Sequence, residues 1–307
     1  MIHCEALARV QSKRSRESSP PESMKVLLVV VVVVVLLLPS LIQTVVAAGT
    51  HSKIYQGEAA AKGEFPYQVS ITVGGRHICG GSLVSAKHVL TAAHCVEEIV
   101  LSRRNFTRGV AVRTGSVMLG KGRNYLIRRI SYHNGFRDSY RLFLPNDIAV
   151  VQLQKPVELG DYVKPINLPE YRAELPEGSK VIVTGFGTTI SNDLSPVLKK
   201  LVTETFSNTK CGNYFLRLTG RRVMTSQICA EKKRGDGTCT GDSGGALVDL
   251  DKTTIYGIVS GGGYSCDGAD PTVYTKVSYY VPYIQREMTY FTREPTAIGP
   301  NPAVVFY

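Results

Sequence analysis

Gly241-Asp242-Ser243-Gly244-Gly245 sets a serine between glycines, where a sharp turn can expose its hydroxyl while backbone N–H groups converge on one point. Such a turn suits a nucleophile beside an oxyanion hole, the cradle for the negative oxygen that forms when a carbonyl is attacked. A serine hydroxyl is a weak nucleophile until a base takes its proton, and the base must itself be held in orientation by a third group.

The order of these groups along the chain narrows the arrangement. A Gly-x-Ser-x-Gly turn of the α/β-hydrolase kind needs its histidine after the serine, and no histidine follows Ser243. The order Asp, His, Ser needs an aspartate before the histidine, and the first aspartate, Asp138, lies beyond every histidine of the chain. The order His, Asp, Ser stays open. His94, in Leu90-Thr91-Ala92-Ala93-His94-Cys95, has a neighbouring cysteine that can pin its backbone, whereas His77, His88 and His133 read as surface or packing residues. Asp147 directly precedes the apolar run Ile148-Ala149-Val150-Val151, so its carboxylate enters the core and requires a partner there. A histidine Nδ1–H is the natural one.

These residues need rigid elements to carry them. Apolar runs of strand length recur between Gly, Pro and Asn punctuation at 67–73, 110–113, 147–153, 180–184, 246–248, 254–259 and 272–277. That spacing predicts an antiparallel β-barrel architecture. Helical patterning is confined to a turn near 92–97 and the stretch 279–291, and 292–307 reads as a flexible tail.

Composition agrees with a folded body: 29 glycines, no tryptophan and 20% charged residues. The formal charge of +11 includes a basic leader, and counting from Ile54 leaves 30 Lys+Arg against 22 Asp+Glu. The stretch 99–137 holds no acidic residue and many arginines, which predicts a solvated basic loop and offers no carboxylates to calcium. No nucleic-acid motif accompanies the charge.

Residues 1–23 form a polar extension that reads as an upstream start. In 24–48, Met24-Lys25 leads into an apolar run at 26–38 and then to Val46-Ala47-Ala48, the pattern of a secretory signal. The alternative is a signal anchor, since about 20 apolar residues can span a bilayer. Residues 49–53 end in Lys53 and read as a short propeptide, followed by a folded domain at 54–291. Of seven cysteines, Cys4 lies upstream of the signal and six remain, an even set that implies disulfides in an oxidising compartment while leaving their pairing open. No close cysteine pair with downstream histidines suggests a metal site. Asn105-Phe106-Thr107 is an acceptor for N-glycosylation.

From Ile54 to about Met288 the chain resembles the chymotrypsin-family (trypsin-like) serine proteases. The matching stretches are Ile54-Tyr55-Gln56-Gly57, Gly63-Glu64-Phe65-Pro66, Cys79-Gly80-Gly81-Ser82-Leu83, Thr91-Ala92-Ala93-His94-Cys95, Asn146-Asp147-Ile148-Ala149, Cys239-Thr240-Gly241-Asp242-Ser243-Gly244-Gly245 and Val273-Tyr274-Thr275-Lys276-Val277. The resemblance implies an all-β fold of two packed six-stranded antiparallel β-barrels with a C-terminal helix, and disulfides pairing Cys79 with Cys95, Cys211 with Cys229 and Cys239 with Cys266. It implies a serine endopeptidase with the triad His94, Asp147 and Ser243, an oxyanion hole of the Gly241 and Ser243 N–H groups, and Ser260 hydrogen-bonding near Asp147. Cleavage after Lys53 would free the Ile54 ammonium to pair with Asp242. No cofactor and no metal are implied. The implied partners are a protein or peptide substrate, an activating protease with basic specificity and serpin-type inhibitors, with no nucleic acid and no membrane, for a secreted monomer.

The chain departs from the family pattern in several places. Its new terminus would be Ile-Tyr-Gln-Gly rather than Ile-Val-Gly-Gly, and Ala246 replaces a common proline. Phe186, Gly261 and Tyr283 stand where tryptophans are usual. The pocket floor is Gly237, where Asp would select Arg or Lys substrates, and Asp236 lies one residue too early for that role. Thr238, Ser260, Gly262 and Thr272 complete the implied pocket, with Thr272 bulkier than the common glycine. Cleavage after small or medium apolar residues is the resulting expectation, with Asp267 or Asp270 as distal sources of negative charge. A catalytically silent homologue acting as a binding or regulatory module is the alternative function.

Overall fold

A computed structural model of the chain describes residues 57–101, 109–137, 144–189, 191–231, 237–262, 266, 268–290 and 304–306. The strands are β1 (Glu58–Ala59), β2 (Gln68–Val73), β3 (Arg76–Ser85), β4 (His88–Thr91), β5 (Val110–Thr114), β6 (Arg123–Tyr132), β7 (Ala149–Leu153), β8 (Lys180–Gly185), β9 (Lys199–Phe206), β10 (Gln227–Glu231), β11 (Ala246–Asp249), β12 (Ile255–Gly262), β13 (Thr272–Lys276) and β14 (Val304–Phe306). The α-helices are α1 (Glu97–Leu101), α2 (Asn208–Thr219) and α3 (Val281–Tyr290), and a 3₁₀ turn at Val277–Tyr280 leads into the last.

Every strand pairing is antiparallel. The first barrel closes in the order β2-β3-β4-β7-β6-β5, and the second in the order β8-β9-β10-β13-β12-β11. Closure removes the free edges that an open sheet would expose. The short β1 extends the second barrel along β9, and β14 pairs with β6. Thus three residues of the segment that the sequence reads as a flexible tail lie in a strand.

Side-chain alternation follows burial. In β5 the Val110, Val112 and Thr114 side chains are buried while Ala111 and Arg113 are partly exposed, whereas all five residues of β7 are buried. A continuous apolar core includes Ile71, Leu83, Val112, Ile130 and Val151 of the first barrel and Ile182, Ile255 and Ile258 of the second. A second cluster, with Val183, Leu201, Leu247 and Tyr274, fills the second barrel.

Helical structure is not confined to the two segments that the sequence marks, because α2 is an additional helix. Its sequence, with Asn, Thr, Cys and Gly in the first turns, has low intrinsic helix propensity. Tertiary restraints compensate. Ser207 caps the first turn, Gly220 ends the helix in the left-handed conformation, and Cys211 is joined to Cys229 of β10.

Candidate active site

His94 lies in the turn between β4 and α1, where Val96 and Glu97 both donate to the Ala93 carbonyl. The disulfide from Cys95 to Cys79 ties this turn to β3. Asp147 sits on the approach to β7 and is fully buried. One carboxylate oxygen accepts the His94 backbone N–H at 2.9 Å, and the other faces His94 Nδ1 at 2.8 Å and accepts the Ser260 hydroxyl at 2.6 Å. The carboxylate therefore receives three polar partners, which offsets the cost of its burial. With Nδ1 engaged as the donor, Nε2 is left as the basic nitrogen. Nε2 lies 3.8 Å from Cys95 Sγ, but that sulfur is in a disulfide and offers no thiolate to a metal.

Ser260 reaches Asp147 through a register shift. Val259 pairs with Tyr274 and Gly261 with Val273, so Ser260 is the extra residue of a bulge in β12. This local irregularity aims a hydroxyl across to the other barrel.

Ser243 sits in a tight turn closed by the Asp242 N–H on the Cys239 carbonyl and the Gly245 N–H on the Asp242 carbonyl. The Ser243 carbonyl accepts the Gly80 N–H at 2.8 Å, which fastens the turn to β3. Gly241 and Gly244 have φ of 96° and 77°, the region that favours glycine. A side chain at Gly244 would overlap Thr91 Oγ1 and the Gly80 carbonyl, and would meet Cys95 Sγ at 3.3 Å. The serine turn thus lies directly against the turn that carries His94. The structure brings His94, Asp147 and Ser260 together by hydrogen bonds and sets the Ser243 loop beside them by packing.

Asp242 is buried, and its carboxylate accepts the Gly187 N–H at 2.7 Å and the Cys239 N–H at 2.8 Å. Gly185 and Gly187 make room for it, since a Cβ at either would collide with the carboxylate. Lys53, Ile54 and the acceptor Asn105 lie outside the described residues.

The residues assigned to the pocket also converge. Thr238 Oγ1 and Thr272 Oγ1 lie 3.1 Å apart, Gly262 pairs with Thr272 across β12 and β13, and Gly237 packs against the Cys266 backbone. The Cys239–Cys266 disulfide closes this end of the barrel. Asp270 accepts a hydrogen bond from the Tyr214 hydroxyl, and with burial this bond pushes the Tyr214 pKa up to about 12. Asp236 and Asp267 lie outside the described residues.

One residue that the sequence reads as surface or packing has a polar connection here: His77 contacts the carbonyl of Gly241 at 2.9 Å. Nothing around His77 in the sequence marks this, because its partner lies 164 residues away. His88 and His133 are packing residues, the first bonded to Ser85 and the second in edge-on contact with Tyr280 and Tyr283.

Residues 54–284 match the trypsin family. The chain belongs to that family. A solved structure of mouse neuropsin, a serine protease, superposes with a TM-score of 0.65 at 30% identity, covering 76% of this chain and 99% of that one. Among curated proteins, the silkworm Bombyx mori vitellin-degrading protease is 34% identical over 240 residues, 77% of this chain and 86% of that protein. Human transmembrane protease serine 11B is 33% identical over 235 residues, and the match spans 75% of this chain and only 54% of that relative. Among the described residues no helix is long and apolar enough to cross a membrane. The trypsin family is one of serine endopeptidases, and the two closed barrels of this chain are its architecture, stapled among the described residues by three disulfides.

Proposed function

We propose that the chain is a secreted serine-type endopeptidase that hydrolyses peptide bonds through His94, Asp147 and Ser243. The observation that carries this reading is the buried Asp147 carboxylate held by the His94 backbone N–H, the His94 imidazole and the Ser260 hydroxyl. Ser243 Oγ attacks the scissile carbonyl while His94 Nε2 takes its proton. The C–O bond forms, and the carbonyl electron pair moves onto an oxyanion bound by the Gly241 and Ser243 N–H groups. Collapse of this intermediate breaks the C–N bond as His94 returns the proton to the leaving amine. Water then repeats the sequence on the acyl-enzyme, with His94 again as base and then acid. Asp147 holds the productive tautomer and stabilises the imidazolium throughout.

Activation follows cleavage after Lys53 by a protease of basic specificity. The new Ile54 ammonium turns inward and pairs with Asp242, which orders the loop bearing the oxyanion hole. The Thr238 and Thr272 hydroxyls, bonded to each other at 3.1 Å, narrow the assigned pocket and so favour small or medium apolar side chains at the cleavage site. With Gly237 at the floor, no charge there selects Arg or Lys. Protein or peptide substrates and serpin-type inhibitors are the corresponding partners.

A peptide-library cleavage profile of the chain activated at Lys53, with Ser243→Ala as control, tests this directly. Cleavage after small apolar residues that disappears in the control is the expected result. Cleavage after Arg or Lys would keep the enzyme and reject the pocket assignment. No cleavage despite a free Ile54 terminus would favour the silent homologue.

A further inference from the structure

Asp147 is placed by its backbone as well as by its carboxylate. The residue before it, Asn146, adopts φ of 56°, a left-handed conformation uncommon outside glycine that asparagine tolerates better than most residues. Asn146 is held from two sides. Its amide nitrogen donates to the Gly135 carbonyl at 2.9 Å, in the loop after β6, and its amide oxygen accepts the Tyr280 hydroxyl at 2.8 Å. Tyr280 lies on the 3₁₀ turn at the far end of the chain and is buried, with its ring edge-on to His133. Gly135 is pressed so close that a Cβ there would sit 2.8 Å from the Asn146 amide nitrogen. On the other side, the Asp147 carbonyl accepts the Thr275 hydroxyl of β13 at 2.7 Å.

We infer that Tyr280, acting through Asn146, is a positioning residue for Asp147: its hydroxyl locks the left-handed turn that aims the carboxylate at His94. The inference rests on the triad reading above. The peptide joining Asn146 to Asp147 has one acceptable direction only while Asn146 keeps its φ. The side-chain amide is the handle by which the C-terminal turn and the Gly135 loop hold that φ. An Asp147 carboxylate freed to rotate would lose alignment with His94 Nδ1 and weaken the base that activates Ser243. Substrate contacts would be untouched, because Tyr280 and Asn146 meet the Asp147 side of the site and not the Thr238–Thr272 pocket.

The test is a double-mutant cycle in the full chain activated at Lys53, with kcat and KM measured per titrated active site. Tyr280→Phe removes only the hydroxyl. Asn146→Gly keeps the left-handed φ accessible but removes both side-chain bonds, and Asp147→Asn serves as control. Tyr280→Phe is expected to lower kcat about 10-fold with KM unchanged, and to have no further effect in the Asn146→Gly background. Asn146→Asp, which keeps the acceptor for Tyr280, is expected to retain more kcat than Asn146→Gly. Wild-type kcat in Tyr280→Phe, or the same loss repeated in the Asn146→Gly background, overturns the inference while leaving the triad intact if Asp147→Asn is inactive. Full activity in Asp147→Asn overturns the triad reading and this inference with it.

Discussion

The His77 imidazole joins β3 to the serine loop: its Nε2 lies 2.9 Å from the Gly241 carbonyl oxygen and its Nδ1 lies 2.7 Å from the Ser70 hydroxyl. A carbonyl oxygen can only accept, so the ring proton is on Nε2, and Nδ1 accepts from Ser70 when the ring is neutral. Burial pushes the His77 pKa below its ordinary value, against the opposing effect of the Gly241 bond, which keeps the ring neutral at physiological pH. Phe186 packs edge-on against the same ring at 5.7 Å. The orientation of the Gly241 peptide is therefore set from the other barrel.

This bond makes a prediction for catalysis. His77→Ala removes a restraint on the Gly241–Asp242 peptide, which directly follows the Gly241 N–H, one of the two assigned oxyanion donors. Loss of one such donor costs about 10²–10³ in kcat, and partial disorder is expected to cost a smaller share, with KM little changed. Steady-state kinetics normalised to titrated active sites would check this. An unchanged kcat would show that its neighbours Leu194 and Gly187 hold Gly241 without this bond.

A second prediction concerns the cradle of Asp242. A methyl group at Gly185 or Gly187 overlaps the carboxylate that receives the Gly187 and Cys239 N–H groups. Gly187→Ala is expected to yield a chain that is cut after Lys53 at the normal rate yet gains little or no peptidase activity. N-terminal sequencing together with an activity assay separates cleavage from activation. Full activity after cleavage would remove Asp242 from the activation step.

The contrast between His94 and His77 explains what could be read from the sequence. The proposed triad could be argued from the sequence because each assigned member sits in a short segment whose neighbours constrain it: a cysteine beside His94, an apolar strand after Asp147, glycines around Ser243. The barrels were legible in part, from runs such as 110–113 and 180–184 that correspond to β5 and β8. The contribution of His77 was hidden, since it depends on Ser70 and Gly241, which only the closed fold brings to the ring. Helix α2 was hidden for a related reason: its residues favour a helix weakly, and a cap at Ser207 and a disulfide to β10 stabilise it instead. The aim of Ser260 depends on a one-residue bulge, which no periodicity announces.

The Thr238–Thr272 contact predicts how specificity can be altered. Thr272→Gly removes the wall hydroxyl and methyl, leaving Thr238 without that partner and widening the space opposite Gly262. The variant is expected to gain cleavage after larger apolar or aromatic residues while losing preference for small ones. A filled methylene is worth about 1–3 kcal/mol in such a pocket, so the shift in relative kcat/KM should reach at least about tenfold. A cleavage profile identical to that of the parent would place the wall elsewhere.

Glu64 supplies a prediction about pH and stability. Its carboxylate accepts Lys200 of β9 and Lys252 of the turn after β11, both at 2.8 Å, and the Ala61 N–H at 2.9 Å. It thereby fastens the segment that follows β1 to the second barrel. Burial alone would push its pKa up, but the bonds from Lys200, Lys252 and Ala61 outweigh that and bring it down to about 2. The folded value lies below the ordinary 4.5, so the unfolded chain binds the proton more readily. The stabilisation from this carboxylate is therefore complete above pH about 4.5 and is lost as the pH falls towards about 2. Glu64→Gln should be less stable than the parent near neutral pH, with the difference in unfolding free energy narrowing through that window. Urea unfolding of the two proteins across the acid range measures it. A difference independent of pH would mean that Glu64 contributes by its packing and that its charge has no part in holding the segment.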